Sequence, residues 1–182
     1  MSFTPEPGTA LAVYYAQTQP RVGTVLARRG LGTLDAVSIA RYAMTIGATD
    51  PAHYDPVAAQ AAGYPDVVAP PNLLAAIVEW GSGTPEAQLQ PDGTPNHGQV
   101  PLGDAQLRLR VMGAGEEMEL VNPVTAGTEL VVETTLEAVT PKQTRAGPCV
   151  FVTTLNTFTS ADGAVLNRNR RTVVLRNPSQ ES

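Results

Sequence analysis

The segment from Leu73 to Trp80, LLAAIVEW, most restricts how this chain can fold. As a helix it is apolar on nearly every side, and such a helix is stable only where protein surrounds it. Pro70 and Pro71 lie just before it and force their predecessors into extended conformations, so Asn72 is the expected N-cap. We therefore predict a short core helix that the rest of the chain must cover.

Alternation of apolar and polar residues with period two dominates the chain after this helix. Segments with that pattern form strands, and the short Gly-containing turns between them predict antiparallel pairing. A further β-rich segment, Val22 to Arg29, precedes the helix and opens the sheet. The prediction is an α+β fold in which a curled antiparallel sheet wraps around one central helix. The five later segments are AQLRLRVM, EEMELVNPV, TELVVETTLEAVT, PCVFVTTLNTFTS and AVLNRNRRTVVLR.

The segments outside this sheet complete the predicted organisation. A helix capped by Thr33 or Asp35 is expected to run to Ile46, where Gly47 ends it. Residues 1–20 are rich in proline and are interpreted as an arm laid over the domain. Residues 21–177 form the domain itself, and residues 178–182 form a frayed tail.

Composition excludes several classes of function. The chain has 182 residues, with 12 Lys and Arg against 17 Asp and Glu, a net charge of -5. A nucleic-acid partner is therefore not expected, because a phosphate-binding face needs surplus cations. Cys149 is the single cysteine, so no intrachain disulfide or thiolate metal cluster forms, as suits a reducing compartment. No segment resembles a membrane span or an export signal, and we expect a cytoplasmic protein without a metal or cofactor.

The stretch between the two helices carries the residues that are best suited to chemistry. It contains His53, one of two histidines, in the string DPAHYD, followed by AAGY and VVAPP. Asp55 precedes Pro56 and caps a short helix, VAAQAA, which Gly63 closes. We interpret this stretch as an active-site loop that leads into the core helix. His97 lies in a later loop without any motif and is expected to face solvent.

These strings, with GEEMEL and the closing strands, resemble the MaoC-like dehydratases and hydratases, which have the hotdog fold. The similarity is strongest to the N-terminal dehydratase type and to mycobacterial hydroxyacyl-carrier-protein dehydratase subunits, and it covers Val22 to Arg176. The resemblance implies reversible hydration of an enoyl thioester carried by CoA or an acyl carrier protein. It also implies a homodimer, or a heterodimer with another MaoC-like protein.

The family's catalytic motif G-D-x-N-P-x-H aligns with Gly47 to His53. The resemblance therefore implies that His53 is the general base, a task that suits histidine because its ordinary pKa is near neutrality. The motif's catalytic aspartate is replaced by Ala48, which cannot transfer a proton. Asp50 replaces the motif's asparagine and Asp55 follows the histidine, so either carboxylate is a candidate for the missing acid. As alternatives, Asp50 is a turn residue and Asp55 a helix cap.

A second departure lies at the start of the core helix, where the family's His-Gly pair is replaced by Pro70-Pro71. Proline has no N–H group, so an oxyanion donor must come from Asn72, Leu73 or elsewhere. Tyr54 and Tyr64 are expected to pack at the wall of the substrate pocket.

The cationic run Arg168, Arg170 and Arg171 allows two interpretations. Its ordinary role is a solvated face of the sheet. Its functional role is a clamp for the phosphates of CoA or a carrier protein, since arginine binds phosphate in a bidentate manner.

Three functions from different classes follow. The chain is a hydratase or dehydratase of acyl thioesters, or a substrate-binding subunit whose partner carries the complete dyad. The third alternative is a hotdog protein recruited to a biosynthetic dehydration or cyclisation. In each case the loop from Gly81 to Gly103 is expected to shape the mouth of the acyl tunnel.

Overall fold

A five-stranded antiparallel sheet is the frame of the computed structural model, which describes residues 4–78, 85–89, 107 and 109–178. The strand order is β1-β3-β4-β5-β2, and every neighbouring pair is antiparallel. Strands β3, β4 and β5 form the centre of the sheet, with β1 and β2 at its two edges. The strands are β1 (Val25–Thr33), β2 (Arg110–Leu120), β3 (Glu129–Thr144), β4 (Gly147–Ser160) and β5 (Val165–Arg176).

In the described part of the chain, four short α-helices precede most of the sheet. Their N-caps follow from the sequence: Asp35 accepts a hydrogen bond from the Ser38 amide, and Asp55 accepts one from the Val57 amide. Gly47 and Gly63 follow two of the helices with positive φ, the conformation that ends a helix at low cost. The helices are α1 (Ala10–Thr18), α2 (Ala36–Thr45), α3 (Pro56–Ala61) and α4 (Leu73–Ile77).

Helix α4 is the predicted core helix, and it packs against the inner face of the sheet. Leu73, Leu74 and Ile77 belong to one buried cluster with side chains from β3, β4 and β5. Those sheet residues are Leu130, Val132, Phe158 and Leu166. The prediction of a curled antiparallel sheet around a central helix, the hotdog arrangement, is confirmed.

The N-terminal segment contains helix α1, which the sequence analysis did not predict. Its Leu11 and Tyr14 are fully buried against a second apolar cluster on β3, β4 and β5. Burial raises the pKa of Tyr14 to about 12, because the phenolate would lose its hydration. Tyr14 therefore belongs to the packing between α1 and the sheet.

One predicted pair of strands is a single strand. The string GAGE, where the predicted strand segments AQLRLRVM and EEMELVNPV meet, is expected to be a turn, but β2 continues through it and pairs with β5 on both sides. The register shifts between Gly113 and Gly115, and Gly115 has a φ of 149°. A bulge of this kind takes up an extra residue without ending the strand, which is why the glycines did not mark a turn.

The predicted side-chain cap of the core helix is also wrong. Asn72 occupies the N-cap position of α4, but its side chain makes no capping hydrogen bond. Instead the Leu73 amide donates to the Pro70 carbonyl at 3.0 Å. The backbone of the double proline turn therefore supplies the hydrogen-bond acceptor that a capping side chain would otherwise provide.

Some expectations fall wholly or partly outside the described residues. His97 lies there, as do most of the segment from Gly81 to Gly103 and the last residues of LLAAIVEW. Within the described part of the chain, no helix has the length and apolar character needed to span a membrane.

Candidate functional site

A cavity of about 450 Å³ lies between the histidine loop, the start of α4 and the ends of β2 and β5. This volume falls within the usual range of small-molecule sites. Its wall is mostly apolar, with a few polar side chains. The lining residues are Asp50, His53, Tyr64, Val68, Ala69, Pro70, Pro71, Leu74, Leu120, Val121, Asn122, Pro123, Val124, Leu166 and Asn167.

His53 is placed by a short 3₁₀ turn, Pro51–His53, in the loop between α2 and α3. Asp50 caps this turn, because its Oδ1 accepts a hydrogen bond from the Ala52 amide at 2.9 Å. The Nδ1 atom of His53 lies 2.6 Å from the carbonyl oxygen of Val68. A carbonyl oxygen only accepts, so Nδ1 carries the proton and Nε2 is the acceptor of the neutral ring.

The segment from Val67 to Ala69 fixes that arrangement from the other side. The Val68 amide donates to the Ala52 carbonyl at 3.0 Å, so Val68 contacts the histidine turn twice. The Ala69 amide donates to Val124 at 2.7 Å, and the Ala126 amide donates to Val67 at 3.0 Å. The histidine is therefore anchored to the backbone through two extended segments.

The two candidate carboxylates differ in position. Asp50 lines the cavity together with His53, whereas Asp55 is not among the lining residues and caps α3. Ala48, at the position of the family's catalytic aspartate, is also absent from the wall. Its carbonyl accepts a hydrogen bond of 2.5 Å from the Tyr54 hydroxyl. Tyr54 thus braces the loop and does not line the cavity.

The double proline turn forms another wall of the cavity. Pro70, Pro71 and Tyr64 all line it. Asn72 is not among the lining residues, and the Leu73 amide is already used by the Pro70 carbonyl. Leu73 is therefore not a free donor for an oxyanion.

Arg168 and Arg170 lie on β5 and do not line the cavity. Arg168 pairs with Glu119 at 2.9 Å, and Arg170 forms a bidentate contact with Glu137 at 2.5 and 2.8 Å. The hydrogen bonds from Arg170 lower the pKa of Glu137 below its ordinary range. Both guanidinium groups are thus occupied by carboxylates of the sheet, with which a phosphate would have to compete.

Asn167 is a lining residue that the sequence analysis missed. Its side chain is only 2% exposed, and its Nδ2 lies 3.4 Å from the Pro71 carbonyl oxygen. The string NRNRR contained the signal, because alternate residues of a strand face opposite sides of a sheet. The asparagines of this string alternate with the arginines and point inward. Among the described residues, no group of three potential metal-binding side chains comes together.

A curled antiparallel sheet packed around a central helix is the arrangement of the hotdog fold. The chain belongs to the family described as "FAS1-like, dehydratase domain region", whose model matches residues 22–168. The match includes the histidine loop, the double proline turn and most of the sheet. The resemblance to dehydratases that the motifs indicated is thereby confirmed.

Two relatives show how far the sequence similarity extends. The chain is 34% identical over 104 residues to the UPF0336 protein SCO4636 of Streptomyces coelicolor, covering 56% of this chain and 59% of that protein. It is 29% identical over 164 residues to a probable enoyl-CoA hydratase alpha subunit of Thermomonospora curvata, covering 86% of this chain. The chain therefore spans 59% and 50% of the length of these relatives.

Solved structures show the same fold over most of the chain. A MaoC-like dehydratase from Rhodospirillum rubrum is 28% identical with a TM-score of 0.58, covering 86% of this chain and 93% of that one. A chain of the ChsH1-ChsH2 complex from Mycobacterium tuberculosis has a TM-score of 0.68 at 19% identity, covering 94% of this chain and 98% of that one. At that identity, the second similarity shows the fold alone.

Proposed function

We propose that this chain catalyses the reversible addition of water to a 2-enoyl thioester of CoA or of an acyl carrier protein. The observation that carries the proposal is the position of His53 in the wall of the cavity, with its Nδ1 bound to a backbone carbonyl. The family and the relative named as a probable enoyl-CoA hydratase subunit support the same reaction.

The proposed reaction begins with a water molecule beside His53. Nε2 takes one proton from the water while the oxygen bonds to the β-carbon. The electron pair of the carbon–carbon double bond moves toward the thioester carbonyl and forms an enolate. A general base placed in this way contributes roughly 10²- to 10⁴-fold to the rate.

Asp50 is the proposed acid that completes the reaction. It shares the cavity wall with His53, and only its Oδ1 is used in capping the 3₁₀ turn. Asp50 passes to the α-carbon the proton that His53 has taken from the water, which converts the enolate into the 3-hydroxyacyl thioester and restores both groups.

The enolate oxygen needs a hydrogen-bond donor, and the double proline limits the choice. Pro70 and Pro71 have no amide proton, and the Leu73 amide donates to Pro70. The Asn72 amide makes no backbone hydrogen bond among the described residues, but Asn72 does not line the cavity, so we assign the enolate oxygen no donor from this turn.

The test is hydration of a series of 2-enoyl-CoA thioesters by the purified chain alone. Loss of the ultraviolet absorbance of the conjugated thioester should accompany a mass gain of one water. A chain that hydrates none of the series, although its melting curve shows that it is folded, would contradict the proposal.

One observation favours a second candidate, a binding subunit that acts with a catalytic partner. Ala48 stands where the family has its acid, and the structurally similar ChsH1-ChsH2 complex of Mycobacterium tuberculosis pairs two differently named chains. In that case the chain forms a heterodimer and supplies part of the acyl site. Co-expression with a hotdog protein that has the complete motif should then create an activity that neither chain shows alone.

A further inference from the structure

The inner face of the sheet carries a buried polar band between its two apolar clusters. Along β4, one face presents Val150 and Val152, then Thr154 and Asn156, and then Phe158. All of these side chains are at most 9% exposed. Asn167 and Asn169 extend the band onto β5, where they are 2% and 1% exposed.

The two asparagines on β5 are only partly satisfied. Asn169 donates through Nδ2 to the Glu116 carboxylate at 2.7 Å, and Asn167 donates through Nδ2 to the Pro71 carbonyl at 3.4 Å. The Oδ1 atom of each amide is buried and has no hydrogen-bond partner among the described residues. A buried acceptor without a partner costs free energy, so such an atom calls for an explanation.

Asn167 and Asn169 differ in their position relative to the cavity. Asn167 lines the cavity with His53 and Asp50, whereas Asn169, two residues further along the same face, is not among the lining residues. Asn167 is thus the one of these two buried amides that borders the cavity, and Asn169 provides a matched position that does not.

We propose that Asn167 Oδ1 accepts a hydrogen bond from the O–H group at the reacting β-carbon, an inference that rests on the proposed function. Before hydration this group is the attacking water, and after hydration it is the 3-hydroxyl of the product. The thioester carbonyl and sulfur have no proton to donate, so neither satisfies an acceptor at this position.

The chemistry of water supports this assignment. A water molecule has two protons and donates two hydrogen bonds. One proton goes to Nε2 of His53 and the other to Asn167 Oδ1, which leaves an oxygen lone pair for the β-carbon. In the dehydration direction, His53 protonates the leaving hydroxyl while Asn167 still accepts from the original O–H.

The test compares ligands that differ only in this hydroxyl. Dissociation constants of 3-hydroxybutyryl-CoA and butyryl-CoA are measured by calorimetry on the full chain carrying His53→Ala, which prevents turnover. The same measurement follows after adding Asn167→Leu or, as the matched control, Asn169→Leu. A pair of octanoyl thioesters repeats the comparison for a longer chain.

We expect the hydroxylated ligand to bind roughly five- to tenfold more tightly than its saturated partner, the value of one neutral hydrogen bond. Asn167→Leu should reduce this ratio to about one, and Asn169→Leu should preserve it. Asn167→Leu should also keep or raise the melting temperature, because leucine has similar size and removes an unpaired acceptor. Asn167→Ala provides the same comparison if leucine does not fit.

Two outcomes would overturn the inference in distinguishable ways. If both thioesters bind but the ratio survives Asn167→Leu and Asn167→Ala, the inference alone fails. If no thioester binds any variant, the proposed function fails and the inference falls with it.

Discussion

The Nδ1 atom of His53 lies 2.6 Å from the carbonyl oxygen of Val68, and this contact determines which ring nitrogen is available. A backbone carbonyl does not titrate, so it holds the same tautomer at every pH at which the ring is neutral. Nε2 therefore remains the acceptor. The Val68 amide in turn donates to the Ala52 carbonyl, so the contact and the turn that carries the ring support each other.

Replacement of Asp50 by asparagine should remove the acid and leave the fold intact. Asparagine caps a turn as well as aspartate does, but it cannot transfer a proton. We expect the hydration rate to fall by roughly 10²- to 10⁴-fold with little change in melting temperature. Steady-state kinetics on a 2-enoyl-CoA measures the loss.

The matched control for that experiment is Asp55→Asn. Asp55 also caps a helix and lies close by in the chain, but it does not line the cavity. Its variant should keep nearly full activity. Equal losses in both variants would show that the carboxylate of Asp50 has no special role.

Leu73→Ala should destabilise the protein strongly, because Leu73 is fully buried where α4 meets the sheet. Loss of a buried leucine leaves a cavity and costs about 2–5 kcal/mol of unfolding free energy. Val57→Ala on α3, where the side chain is 72% exposed, should cost less than about 1 kcal/mol. Urea denaturation curves of the two variants measure the difference, and similar losses would contradict the core position of α4.

Tyr14 makes stability depend on pH in the alkaline range. Its pKa is raised from 10.0 to about 12 by burial, so the unfolded chain loses this proton at a lower pH than the folded one. The contribution of Tyr14 is fully present below pH 10 and is lost as the pH rises toward 12. The loss should be on the order of 2 kcal/mol.

Tyr14→Phe removes that titration. The unfolding free energy of the variant, measured by denaturant at several alkaline pH values, should fall less steeply than that of the native protein. Parallel curves across this range would mean that the phenol of Tyr14 does not titrate differently in the two states.

Much of the fold could be predicted because local chemistry and global packing agree. Asp35 and Asp55 are good caps and do cap helices, and the apolar residues of α4 do form the centre of the core. The prediction failed at GAGE, where a turn composition occurs in a continuous strand. A bulge and a turn both favour glycine, and only pairing with β5 distinguishes them.

The site was less predictable, because its polar residues come from distant segments. The motif pointed to His53, but its partner Val68 contributes a backbone carbonyl, which no side chain pattern reveals. Asn167 was not predicted, because the arginines that alternate with it indicate only the exposed face of the strand. The pairing of Arg168 with Glu119 across β5 and β2 depends on strand register, which local sequence does not provide.

The most direct test of the central claim is the rate at which His53→Ala hydrates a 2-enoyl-CoA, compared with the native chain. Both proteins should show the same melting temperature within a few degrees. A difference in rate then reflects the loss of the imidazole and not a loss of folded protein. The account predicts hydration by the native chain and a loss of roughly 10²- to 10⁴-fold in the variant. A variant that is as active as the native chain would show that His53 is not the base.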